Sequence, residues 1–291
     1  MKTSSVLEPA VEQNQHARDA IAKSIEAYER YKMKEKAQGT SKQDREHLRA
    51  LRAPLENLIA KDAAASRALE QLRKHPLVSI PPFVDKLEVS NHASSQLLTL
   101  HLAAHLSMKF PPYDYGWQWG NPLDAVHNEQ TGNIGVRGVS DSDHEWAVSA
   151  ASGIGLLLTT DKPALVSVRP YIQYEWEGGA RVVGYFASGK ARGGIDAAAF
   201  DNGRLVAGVR QSELFSKETS SDPNTGWDDG VVWVDDIALD FGMDPGQAIV
   251  VNFGAFIECS HSDTHIFGAA GAGAKVQAHV RWVVVERFVA G

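Results

Sequence analysis

The spacing of apolar positions changes once along the chain. Up to about residue 76 the apolar side chains recur every three or four positions, and beyond Pro76 they recur every two. In the first region Val11, Ile21, Ile25 and Tyr28 keep the helical rhythm, and Leu48, Leu51, Leu55, Leu58, Ala65, Leu69 and Leu72 take it up again. Such a 3-4 stripe predicts amphipathic helices. The stretch "QGTSKQD" separates the two runs, with Gly39 as a helix stop and Ser41 as an N-cap followed by Asp44 three residues on. Pro54 starts a fresh helix or kinks the second one. The expectation is a helical hairpin over 1–76. Its stripe is narrow and broken by Asn14, Arg18 and Asp62, so the hairpin should dock on another surface, either the rest of the chain or a second copy.

Beyond Pro76 the alternation is that of strands. Val166, Val168, Pro170, Ile172, Tyr174 and Trp176 share one phase, with Ser167, Arg169, Gln173 and Glu175 in the other. Pro170 cannot donate to a ladder, which predicts an edge or a bulge there. Ile249, Val251, Phe253, Ala255, Ile257 and Cys259 form a second inward row, and Val276, Ala278, Val280, Trp282 and Val284 a third, leaving Gln277, His279 and Arg281 outward. Further strands are expected at 96–108, 134–139, 152–160, 181–188, 204–210 and 231–239, punctuated by "EGGA", "DNGR", "DPNTGWDDG" and "MDPGQ". About nine short strands without crossover helices predict a mainly β chain: the hairpin, then an antiparallel, jelly-roll-like β-sandwich over 77–291, with a barrel as the alternative.

Composition narrows the function classes. Residues 1–76 carry 15 basic and 11 acidic side chains, whereas 77–291 carry 14 and 25. A body with that acidic excess repels nucleic acid and anionic membranes, so no nucleic-acid partner is expected. No apolar run reaches the roughly 18–20 residues of a membrane span, and the first fifteen residues lack a secretory h-region. One cysteine, Cys259, rules out an intrachain disulfide. A cytoplasmic location follows, compatible with release from the cell without a signal.

The most ligand-like stretch is "KFPPYDYGWQWGNP" at 109–122. Tyr113, Tyr115, Trp117 and Trp119 alternate with Asp114, Gly116 and Gln118. As a stacking platform the rings would bind sugars, with Asp114 and Gln118 hydrogen-bonding hydroxyls. As a half-buried strand the same alternation turns the rings into a core. The stretch "ECSHSDTH" brings His261, Asp263 and His265 into one loop of zinc-ligand types, with Cys259 pointed inward by the strand phase. Asp222, Asn224 and Asp228 alternate as at the start of a calcium loop, without its glycine at the sixth position or its final glutamate. His101 and His105 fall on a strand, where four residues span about 13 Å, too far for one metal ion. The glycines of "GAAGAGA" precede a strand rather than a helix, which argues against a phosphate loop.

No catalytic signature is complete. The expectation is a non-enzymatic, soluble recognition or assembly module that self-associates or binds a protein or carbohydrate partner, with no resident cofactor. The alternatives are a carbohydrate-binding module using the aromatic platform, and a metal-dependent enzyme or toxin with a site in the 258–265 loop; the ions considered are zinc there and calcium at 222–228.

Overall fold

The structure is a computed structural model that describes residues 15–37, 80, 82–83, 105–141, 147–184, 187–220, 226–234, 237–262 and 268–289. Among the described residues one helix, α1 (Gln15–Ala37), precedes twelve strands. These are β1 (His105–Lys109), β2 (Tyr115–Gly120), β3 (Asp124–Asn128), β4 (Asn133–Ser140), β5 (Ala147–Thr159) and β6 (Ala164–Gly184). They continue with β7 (Ser188–Asp201), β8 (Arg204–Ser220), β9 (Gly226–Val234), β10 (Leu239–Met243), β11 (Ala248–Ser262) and β12 (Gly268–Val289). The first helix of the expected hairpin is present; its second half lies outside the described residues.

All strand pairings are antiparallel, and they build two sheets. The seven-stranded sheet runs β10-β6-β12-β4-β3, with β1 added to β12 and β9 to β6. The five-stranded sheet runs β2-β5-β11-β7-β8. The sheets stack face to face as a sandwich, not a closed barrel. Between them Ile249, Val251, Phe253, Ala255, Ile257 and Cys259 of β11 meet Val276, Ala278 and Val280 of β12 and Val166, Val168 and Ile172 of β6, all buried. These rows point as their alternation requires. Several strands differ from expectation: β5 begins before the expected 152–160, and β6 joins the row of 166–176 to most of the segment expected separately at 181–188, ending at Gly184.

One row differs. The β6–β12 register slips between Val280 and Trp282. Such a bulge adds one residue to β12 and inverts its phase. Val283 and Val285 therefore fill the core, and Trp282 moves to the outer face, contrary to the unbroken alternation expected there. Pro170 lies opposite Val283, beside this slip. It also falls between the part of β6 paired with β10 and the part paired with β9, where no ladder needs its missing N–H. At the β7–β8 hairpin, Asn202 (φ 47°) and Gly203 (φ 81°) make the tight turn, the Asn-Gly pair being suited to left-handed positions.

Helix α1 lies on the outer face of the five-stranded sheet. Ala17, Ala20, Ser24, Tyr28 and Lys32 are its buried stripe. Lys23 Nζ reaches Asn202 Oδ1 in the β7–β8 turn at 2.7 Å. Among the described residues no helix is long and apolar enough to cross a membrane.

Candidate functional site

Each sheet has an outer face able to carry function, and the two are built differently. On the five-stranded sheet, alternation along β2 places Tyr115, Trp117 and Trp119 outward, opposite Gly155, Gly153 and Ala151 of β5. A Cβ at Gly155 would stand 2.1 Å from the Tyr115 ring, one at Gly153 2.6 Å from Trp117, and one at Gly254 2.7 Å from Trp117. The missing side chains let the rings lie down against the sheet.

Helix α1 covers them. The Tyr28 ring centroid is 5.0 Å from that of Trp117, tilted 60°, and 6.3 Å from that of Trp119, edge-on. The Tyr28 hydroxyl donates to Asp196 Oδ2. Lys32 Nζ sits 3.7 Å from the same carboxylate and 4.3 Å from the centre of the Phe256 ring. Beside them the Tyr115 hydroxyl donates to Asn252 Oδ1. Burial pushes the Tyr115 hydroxyl well above its ordinary pKa, so it stays a donor.

The aromatic stretch is thus neither of the two arrangements expected of it. Its rings do not share one face. Tyr113 lies ahead of β2 and enters the core between the sheets, where its hydroxyl donates to Val280 O at 3.0 Å. Tyr115, Trp117 and Trp119 face outward and are nonetheless buried, Trp117 at 2% exposure. An open platform at these rings is ruled out for the folded chain, because α1 occupies the space above them. Asp114 accepts the Leu157 N–H at 2.6 Å, and Gln118 is exposed on the opposite phase of β2, so neither borders the rings.

The proposed metal ligands are not brought together among the described residues. His261 Nδ1 is 2.7 Å from Ser140 Oγ. Asp263, His265, Asp222 and Asn224 lie outside the described residues, and Asp228 is a strand position of β9 opposite Gly178. Cys259 is buried in the core, and burial raises its thiol pKa far above the usual range, leaving it protonated and inert. No group of three or more histidine, cysteine, aspartate or glutamate side chains is placed to hold a metal ion among the described residues.

The outer face of the seven-stranded sheet grades from apolar to polar along its strands. At one end Leu165 pairs across with Phe288, and Leu106 and Met108 of β1 stand beside Glu286 and Val284. Leu106, Met108, Leu165 and Phe288 are all exposed, as is Phe110 at 55%. At the bulge the Tyr171 and Trp282 rings stack at 4.3 Å, 7° from parallel, with Phe110 tilted toward Trp282 at 6.4 Å. The Arg281 guanidinium lies 5.5 Å from the centre of the Trp282 ring. The Trp282 indole N–H finds no acceptor among the described residues.

Past the bulge the same face turns polar. Gln173, Glu175 and Glu177 of β6 lie opposite His279, Gln277 and Lys275 of β12, with Asn133 and Arg137 of β4 flanking. Lys275 Nζ is held between Glu175 at 3.3 Å and Glu177 at 3.6 Å. The Phe83 ring lies over Gly135, where a Cβ would come within 2.9 Å of it. Burial and then the Arg281 charge lower the His279 pKa below 6.5, outweighing the hydrogen bond to the Thr131 backbone. Rings beside a row of amides and ion pairs suit a polyhydroxylated, ring-shaped ligand.

Sequence reasoning passed over Tyr171, Trp282 and Phe110. The available signal was Val283-Val284-Val285, three consecutive apolar residues that fill both phases of a strand and so mark a possible slip.

No family model matches the chain, and no curated protein does. Among solved structures, the chain is similar to an isomaltodextranase of Arthrobacter globiformis complexed with panose, at 11% identity and TM-score 0.20 over 62% of this chain. It is similar to a CocE/NonD family hydrolase of Staphylococcus aureus at 9% identity and TM-score 0.20 over 64% of this chain. The C-terminal family-6 carbohydrate-binding module of a Zobellia galactanivorans laminarinase matches at 12% identity and TM-score 0.16, over 62% of this chain and 98% of its own length. The chain spans only 23% of the isomaltodextranase and 37% of the hydrolase. At these identities and TM-scores the likeness carries no argument about function.

Proposed function

We propose that the chain is a non-enzymatic recognition module that binds a saccharide across the outer face of its seven-stranded sheet. The observation that carries the reading is the Phe110–Trp282–Tyr171 cluster, partly open to solvent and continuous with the half-buried polar side chains His279, Gln277 and Glu175. The apolar faces of a pyranose stack on indole and phenol rings, while its hydroxyls take up donors and acceptors of the adjoining row. The Trp282 N–H is buried beneath the cluster without an acceptor among the described residues.

Isothermal titration with cellohexaose, laminarihexaose and xylohexaose tests the reading. Binding of at least one probe is expected, weakened tenfold or more by Trp282→Ala. If the unaltered chain binds none of them, or Trp282→Ala changes nothing, this face is not the site.

A second reading is self-assembly, favoured by the exposed apolar end formed by Leu106, Met108, Leu165 and Phe288. Light scattering would then show an oligomer that Leu165→Lys with Phe288→Lys converts to a monomer. A monomer at every concentration removes it.

A further inference from the structure

We propose that the outer face of the five-stranded sheet is a second saccharide-binding face, held shut by α1, with the Tyr28 ring seated where a pyranose would stack. The inference shares only its ligand class with the reading above and uses none of the same residues.

The floor of this face is made for a flat ring. Gly153, Gly155 and Gly254 clear the backbone so that Tyr115 and Trp117 lie against it, and the aromatic faces turn toward whatever covers the sheet. Its present occupant is a six-membered ring bearing one hydroxyl. Tyr28 packs on Trp117 and Trp119, and its O–H donates to the Asp196 carboxylate. Tyr28 stands tilted 60° to Trp117 and edge-on to Trp119, so it turns ring C–H groups toward the indoles as a pyranose would, and it adds a hydroxyl-to-carboxylate bond.

The cover is also an incomplete match to the face. Asn252, 2% exposed, accepts from Tyr115 through Oδ1, yet its Nδ2 finds no acceptor among the described residues. A side chain selected only to pack there would leave no such donor, because a buried N–H without a partner is penalised. A ligand hydroxyl would accept from it.

The hold of α1 is suited to release. Its buried stripe is built from Ala17, Ala20 and Ser24 around Tyr28, with Ile21 and Ile25 packed partly buried beside them. Lys32 and Asp196, both 2% exposed, regain hydration on opening, which offsets the loss of their attraction.

The test is made in full-length chains carrying Trp282→Ala, so that it does not depend on the other face. Adding Tyr28→Ala is expected to raise the affinity for at least one of the three hexasaccharides tenfold or more over Trp282→Ala alone. Adding Trp117→Ala or Asp196→Asn should cancel the gain. A Tyr28→Ala chain that keeps its strand circular dichroism and cooperative melting, yet binds no tighter, overturns the proposal. Should that variant fail to fold, Tyr28→Phe keeps the ring and breaks only the bond to Asp196. A gain of about threefold is then expected, and no gain overturns the proposal. If the unaltered chain and Trp282→Ala bind alike, the reading of the seven-stranded face fails while this comparison stands.

Discussion

The two outer faces of the sandwich each gather aromatic rings from neighbouring strands, and they treat those rings in opposite ways. On the five-stranded sheet Tyr115 and Trp117 lie over glycines with Trp119 opposite Ala151, and α1 roofs all three. On the seven-stranded sheet Tyr171 and Trp282 stand against each other beside an exposed Phe110. Both sets sit on a strand's outward phase, so strand geometry alone does not separate them. What separates them is a helix that precedes β2 by some eighty residues in the chain and reaches only one face. An aromatic row becomes core or contact surface according to what covers it.

Substituting one tryptophan on each face tests this contrast most strongly. Trp117 is enclosed by α1, the β5 backbone and Asp196, and its indole N–H donates to Ile154 O at 3.2 Å. Trp117→Ala is expected to cost about 3–5 kcal/mol, as for other enclosed aromatics. Trp282→Ala forfeits one stacked pair on an outer face, about 0.5–1.5 kcal/mol. Urea denaturation midpoints compare them directly. Equal losses would mean that the seven-stranded face is as closed as the other.

Charge offers a second comparison. Asp196 and Lys32 are both buried under α1, so Asp196→Ala strands a cation and should cost about 3–5 kcal/mol. Replacing both, as Lys32→Met with Asp196→Leu, should cost less than the single change, since neither charge is then left alone. On the other sheet the buried Lys275 is held by two carboxylates, Glu175 and Glu177, each about a quarter exposed, so losing one leaves it paired. Glu175→Gln is therefore expected to lose no more than about 1 kcal/mol. If the double variant under α1 proves worse than Asp196→Ala alone, the pair contributes more than its desolvation takes away.

Much of the architecture was legible in the strand rows. The inward phase of Ile249 through Cys259, the Asn-Gly turn and the helical rhythm of Ile21, Ile25 and Tyr28 all follow from local periodicity, which a strand or helix must obey wherever it lies. The site was less legible because it depends on contacts between distant segments. Nothing near β2 shows that Tyr28 will cover it, and nothing near Lys32 marks that lysine as buried rather than solvated. The Trp282 phase was misread for a different reason. A single inserted residue reverses every later position, and a run of valines fits either phase. Of the expected metal ligands, Asp222, Asn224, Asp263 and His265 lie outside the described residues.

The smallest effect expected is a pH response on the outer face of the seven-stranded sheet. His279 stands on the polar row, with Arg281 two positions on and the Thr131 backbone bonded to it. Its folded pKa lies below 6.5, chiefly through burial and then through the Arg281 charge. The unfolded chain therefore binds a proton at higher pH than the folded chain does. The stability that follows is fully present above about pH 6.5 and is lost as pH falls through the lower, folded value. His279→Gln keeps a polar side chain and removes the titration, so its melting temperature should fall less than that of the parent between about pH 7.5 and about pH 5. The Tyr115 hydroxyl under α1 has its pKa moved upward by burial, away from this window, and should leave that difference unchanged. Parallel pH profiles for the two chains would show that His279 exchanges its proton as freely in the folded state as in the unfolded one, and that the face around Trp282 is wetter than its burial implies.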